Sequence, residues 1–491
     1  MSIMSCRAVV ALRLLAAALI GLHLAMPHWF SQETAWGLWP AVFVPAPWLW
    51  SLAAITLVLI IGGDKVLARF GPWVAPRFQR LARLLFAHPT GFRGLAASFA
   101  AIPFYAFRIR HLYWGDAKLL VEAIPHPDFR LTYVWQAPLD VFLHARAWAL
   151  GNRLFGWPDP QPVYAILSTA IGVVFVWVLL ELAAWLGRDR IERVLLCGIV
   201  ATLGTVQLFF GYIENYPFMT AGVLIYIWLA VRALAGEVAL VWPATALALT
   251  HALHPSTIIL APSLLYLAFG LRSFRGEERS RDGAPTAGSS LALRLSARPA
   301  SLWLRDLASL AIPYIVVLAG VLVLMTLGRH GVDALLGVDF PGGGDRRWFV
   351  PLFQITTEWE HYTLFSPGHL IDIVNQQLLV APVVWPGLIV AGLLAWPRLP
   401  GRDAVFRLLL FMAASYLLLI LTWNPDYGGQ RDWDLFSPAA IPAALLLGYT
   451  LPRLLPERPA LRAATWALVA TQAFHAVQWI YLNATVRLAL P

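Results

Sequence analysis

Four ionisable side chains, Asp426, Arg431, Asp432 and Asp434, stand within nine residues in the segment NPDYGGQRDWDLFSP (424–438), between two strongly apolar stretches. A charge at the centre of a hydrocarbon layer costs on the order of 3 kcal/mol by insertion scales, so such a cluster belongs to a polar site or a membrane mouth. A guanidinium is permanently charged and presents two parallel N–H groups, which makes Arg431 a partner for a phosphate. Asp432 and Asp434 would then bind sugar hydroxyls or hold Arg431 in place. If 432–434 is extended, both carboxylates share one side; if it is helical, they diverge by about 200°. The competing reading is a salt-bridged loop cap around the Gly428–Gly429 turn.

Three other constellations have residue types suited to chemistry. In YWGDAKLLVEA, Asp116 precedes a short apolar helix, and a carboxylate there can take a proton, bind a divalent cation, or simply cap the helix. Pro138 opens a second helix in which Asp140 and His144 fall on one face at i,i+4. In FFGYIENYPFMT, Glu214 is a candidate base or metal ligand beside Tyr212 and Tyr216, although Asn215 and Pro217 also make ordinary turn chemistry. In THALHPST, His251 and His254 lie about one helical turn apart, suited to a phosphate or, less often, a metal. The helix start at Pro255, Ser256 and Thr257 adds free N–H groups for an anion.

The elements that must carry these residues are membrane helices. The 491-residue chain is 59% hydrophobic and 13% charged, with a mean hydropathy of +0.67, values that point to a polytopic membrane protein. Apolar runs at 8–27, 41–61, 94–108, 162–186, 194–212, 217–234, 239–251, 255–270, 307–328, 377–396, 406–423, 437–451 and 462–482 predict an all-α transmembrane bundle of about thirteen spans. Pro255 splits the long stretch 242–270 into two short helices. Arginine concentrates in the connections 62–93, 187–193 and 271–306, which become cytoplasmic by the positive-inside rule. The net charge of +9 follows from these loops and indicates contact with membrane lipids, not nucleic acid. Cys6 and Cys197 supply neither a disulfide framework nor a cysteine metal site, and the apolar N-terminus reads as an uncleaved first span.

This topology makes one integral-membrane domain, 1–491, with large extracytoplasmic loops at about 109–161 and 329–376 and a flexible cytoplasmic linker at about 271–306. All the candidate residues then share the outer face. The second large loop contains a Gly-rich hinge with Arg346–Arg347, suited to phosphates or lipid head groups, and an interfacial amphipathic helix around Leu370, Ile371, Ile373, Val374 and Leu378.

With YWGDAKLLVEA and WQAPLDVFLHA in its first large outer loop, the chain resembles the GT-C superfamily of integral-membrane glycosyltransferases, which includes protein O-mannosyltransferases and lipid A aminoarabinose transferases. The resemblance implies transfer of a sugar from a polyprenyl-phosphate donor to a lipid, glycan or protein acceptor, in a bacterial inner membrane. It makes Asp116 the first-loop carboxylate, catalytic or metal-associated, and Glu214 its complement on a later loop, with Mg or Mn as the expected cation. Ala117 stands where the family has a second adjacent acid, and more than one span precedes the loop. On this reading Asp116 and Glu214 are catalytic, and Arg431, Asp432, Asp434, His251, His254, Asp140 and His144 bind substrate. A lipid-linked polysaccharide ligase or polymerase would rely more on Arg and His in the large loop, and a transporter or flippase would carry charges inside its spans.

Overall fold

The computed structural model describes residues 2–87, 90–134, 136–268, 300–331, 334, 348–395, 399, 401 and 403–486. The protein is 77% helix, and among the described residues extended backbone pairs only in a bridge between Phe349 and Trp423. Helices α1 (Ile3–Trp29) and α2 (Ala46–Ala87) are followed by two short ones, α3 (Thr90–Ser98) and α4 (Ala101–Ala106), and a loop bearing α5 (Ala117–Ala123) and α6 (Pro138–Phe155). Then come α7 (Gln161–Leu186), α8 (Arg190–Ala201), α9 (Tyr216–Leu234), α10 (Val241–Leu253) and α11 (Pro255–Ala268). The second half holds α12 (Ala300–Leu327), α13 (Pro367–Val380), α14 (Val384–Ala395), α15 (Ala404–Thr422), α16 (Trp433–Leu454) and α17 (Arg458–Thr485).

Among the described residues, seven helices are long and apolar enough to cross a membrane: α1, Ala46–Gly63 of α2, α7, α9, Leu304–Leu327 of α12, α15 and α16. The pair Pro367–Val380 and Val384–Leu394 bends by 95° and adds an eighth if it counts as one span. The other expected spans differ for local reasons. The segment 94–108 is broken between α3 and α4, where Pro103 lacks the N–H that would continue the ladder. The segment 194–212 gives only the 12-residue α8 and a 3-10 turn, Gly204–Phe209, while α10 and α11 are short apolar helices meeting at Pro255. The expected connection 62–93 is largely helical, because α2 continues to Ala87, roughly 36 Å beyond Gly63. The linker expected at 271–306 lies outside the described residues as far as residue 299, and so does the hinge with Arg346–Arg347.

α16 is the centre of the bundle, with its whole apolar window buried, while only 11% of the α12 window is covered. α17 is 28 residues long but polar for a span, with Thr471, Gln472, His475, Gln478 and Asn483 all buried. Internal hydrogen bonds make that tolerable: Gln472 Nε2 donates to the Ile199 carbonyl at 2.6 Å and Gln478 Nε2 to the Phe474 carbonyl at 2.9 Å.

The two ends of the bundle differ in charge chemistry. At one, where α1, α8 and α17 begin, acids pair with cations: Arg458 with Asp189 at 2.6 Å and Glu192 at 3.1 Å, and Arg188 with Glu192 at 2.9 Å. Arg93 and Glu181 also pair, at 2.7 Å. At the opposite end, where α9 and α16 begin and α15 and α17 finish, Asp116, Glu214 and the segment 424–434 converge.

Candidate functional site

Asn483, near the end of α17, ties down the loop that carries Asp116. Its side-chain oxygen accepts from Trp114 Nε1 at 3.0 Å and lies 3.2 Å from His111 Nε2, while its Nδ2 donates to Gln207 Oε1 at 2.8 Å. The backbone adds Arg110 N–H to the Asn483 carbonyl at 3.0 Å and Ile109 N–H to the Phe210 carbonyl at 2.8 Å. On the other flank, Asp372 of α13 accepts from Gly429 N–H and from Trp36 Nε1, both at 3.1 Å. Asn375 takes Gly37 N–H at 2.9 Å. The helix expected to be interfacial thus clamps two loops with its polar face and leaves Leu370, Ile371 and Val374 exposed.

The two charged segments cross at Gly115. Its N–H donates to the Arg431 carbonyl at 3.0 Å, and Arg431 Nη2 donates back to the Gly115 carbonyl at 3.3 Å. Gly115 has φ +44°, and a Cβ there would collide with the Glu214 carboxylate, so glycine is required twice over. Gly428, at φ +80°, makes the expected turn that reverses the chain toward Arg431.

Tyr427 joins the site. Its hydroxyl donates to Asp116 Oδ1 at 2.8 Å, its N–H donates to Asp432 Oδ2 at 2.8 Å, and the Arg431 guanidinium stacks over its ring at 4.5 Å. Asp116 occupies the N-cap position of α5 but caps nothing with its side chain, which leaves Oδ2 unengaged. Among the described residues no carboxylate pairs with Arg431, and its Nε is buried with no hydrogen-bond partner. Backbone N–H groups on carboxylates close the loop, and Arg431, with no carboxylate on it among the described residues, is left for another anion.

Asp432 and Asp434 follow the helical alternative. Asp432 stands at the N-cap of the short helix Trp433–Phe436 and faces the pocket; Asp434 turns inward to accept the Tyr212 hydroxyl at 2.8 Å and is fully buried. Glu214 is buried beneath Asp116, accepting the N–H groups of Asp116 and, at 3.1 Å, Asn215. Burial, reinforced by Asp116 and Asp434, pushes the Glu214 carboxyl well above the usual range; burial does the same to Asp432, with Asp434, Asp426 and Asp116 adding to it. Asp116 is half-buried and lies between them.

Above this cluster opens a cavity of about 690 Å³, its mouth included, lined by acids, amides and aromatic rings: Asp116, Asp426 and Asp432, Gln136, Asn215 and Asn424, and Tyr216, Tyr427, Trp348 and Trp423. His254 also lines it, with Nδ1 2.8 Å from Ser256 Oγ. His251 does not: it lies between Thr257 Oγ1 at 2.7 Å and the Tyr314 hydroxyl at 2.9 Å. Asp140 and His144 are buried in α6 as a pair 3.0 Å apart, with His144 stacked 4.0 Å from Tyr164, and neither lines the cavity.

The residues that type and spacing alone did not single out are Tyr427, Asn424, Trp348, Trp423 and Gln136. Tyr427 sits between Asp426 and Gly428, and a tyrosine inside a charged turn was the available signal; the others carry none. Among the described residues no group of three or more His, Cys, Asp or Glu is arranged to hold a metal ion. Each oxygen of Glu214 accepts one backbone N–H group, from Asp116 and from Asn215. Compared with protein-family models, curated proteins and solved structures, the chain matches none.

Proposed function

We propose that the protein is a membrane glycosyltransferase that moves a sugar from a polyprenyl-phosphate donor to a hydroxyl-bearing lipid, glycan or protein acceptor. The observation that carries the reading is Tyr427, which holds a base on its hydroxyl and a permanent cation on its ring. Asp116 Oδ2 takes the acceptor proton as the acceptor oxygen attacks the anomeric carbon. The bond from that carbon to the phosphate oxygen breaks, and Arg431 receives the charge of the departing phosphate. One displacement inverts the anomeric centre. Asp432, which keeps its proton to higher pH than a free aspartate, donates to a sugar hydroxyl, and Trp348 and Trp423, 5.1 Å apart, offer faces for the sugar ring.

The Arg-bearing end supports an outward-facing site by the positive-inside rule. The proposal sets the protein in a bacterial inner membrane and retains about thirteen crossings, with α3–α4, α8, α10, α11 and α17 counted beside the longer spans. The test is sugar transfer by purified protein in lipid from a panel of polyprenyl-phosphate sugars, wild type against Arg431→Ala. The expected result is an inverted product and a loss of roughly 100-fold or more in the variant. Sugar crossing a vesicle with its phosphate bond intact would make the protein a transporter instead.

A further inference from the structure

Outside the cavity lining, His23 of α1 and His475 of α17 face each other, both fully buried, with His23 Nε2 2.7 Å from His475 Nδ1. The outer nitrogens are also engaged: His23 Nδ1 lies 2.7 Å from the Leu19 carbonyl, and His475 Nε2 lies 2.7 Å from the Leu379 carbonyl. A carbonyl oxygen only accepts, so both outer nitrogens must carry hydrogen. Two neutral imidazoles would then present two lone pairs to each other at 2.7 Å. The contact closes only with a third hydrogen on the central axis.

We infer that His23 and His475 form a buried proton-binding site, in which the two rings share one proton and carry a single positive charge between them. The surroundings isolate it. An apolar cluster of Ala16 and Ile20 of α1, Ala53 and Ile60 of α2, and Ala467 and Phe474 of α17 reaches the pair through Phe474, which meets the His23 ring edge-on, as Trp479 meets the His475 ring. The polar atoms hydrogen-bonded to the two rings are each other's central nitrogens and the Leu19 and Leu379 carbonyl oxygens, with no carboxylate among them. A two-nitrogen contact of 2.7 Å is also too short for a metal between the rings, since each N–metal bond needs about 2 Å.

The site lies where three elements meet. Leu379 belongs to α13, the helix whose Asp372 and Asn375 clamp the Gly429 turn and the Gly37 loop. With the proton in place, α1, α17 and α13 are joined by one chain of hydrogen bonds, Leu19 to His23 to His475 to Leu379. Without it, the central contact becomes repulsive and the rings must part. Because the folded protein holds this proton and the unfolded chain does not force it, the contribution is present at low pH and lost as pH rises through the pair's own titration.

The test compares thermal unfolding of wild type and His23→Gln in lipid from about pH 5 to about pH 9. A glutamine amide donates to His475 Nδ1 without needing a proton from solution. The wild-type melting temperature is expected to fall by about 3 °C or more relative to the variant as pH rises. If the variant does not fold, imidazole-¹⁵N histidine spectra of the wild type near pH 6 decide the matter. One hydrogen coupled to ring nitrogens of two residues supports the site. Two unprotonated central nitrogens, or a melting difference that does not change with pH, overturn it.

Discussion

At the residue scale, the site turns on what Tyr427 holds. Removing its hydroxyl while keeping the ring separates the two duties. Tyr427→Phe keeps Arg431 stacked but frees Asp116 Oδ1, so transfer should fall about 10-fold with donor affinity nearly unchanged, the worth of one hydrogen bond to a charged group. Tyr427→Leu should weaken donor affinity as well, a split that steady-state kinetics would resolve. The acids beneath make a second prediction. Glu214 and Asp432 hold protons in the folded state that the unfolded chain gives up near pH 4, so each contributes stability that is present in acid and is lost as pH rises through its elevated folded titration. Glu214→Gln cannot ionise and should flatten the fall in unfolding temperature above about pH 5. Asp116, Glu214, Arg431 and Asp432 were legible from residue type and position. For Tyr427 the charged turn around it was the available signal, but its contact with Asp116, 311 residues away, was not legible.

At the element scale, the site depends on loops pinned by helix ends. Asn483→Leu removes the partner of Trp114 and Gln207 in a buried position and should cost about 2–4 kcal/mol, read as a lower unfolding temperature. Gly115→Ala should destabilise by about 1–3 kcal/mol, from the positive φ and the clash with Glu214, and should reduce transfer beyond what the lost stability explains. Helices with an unbroken apolar pattern, such as α7, α9 and α15, were readable with their approximate limits. The pinning helix α17 was expected as one more apolar span, yet its buried Gln472, His475, Gln478 and Asn483 form a polar seam. Hydropathy averages across a helix and loses which face is polar. The extension of α2 escaped for the opposite reason, since Arg69 and Arg80 read as loop residues but stand exposed on a continuing helix.

At the scale of the whole molecule, the two ends of the bundle carry opposite logic: acids matched by arginines at one, acids gathered beside Arg431, which pairs with no carboxylate among the described residues, at the other. The segregation of arginine was visible in the sequence; the convergence of the 116, 214 and 424–434 segments on one cavity required the fold. With Cys6 and Cys197 replaced, single cysteines at exposed Lys118 and Arg188 should react with an impermeant reagent from opposite sides of sealed vesicles. The most direct test of the central claim is the rate of sugar transfer by Asp116→Asn, measured together with binding of the polyprenyl-phosphate donor. Donor binding should be unchanged and transfer should fall by at least about 100-fold. Transfer at the wild-type rate would remove Asp116 as the base and, with it, the chemistry assigned to the site.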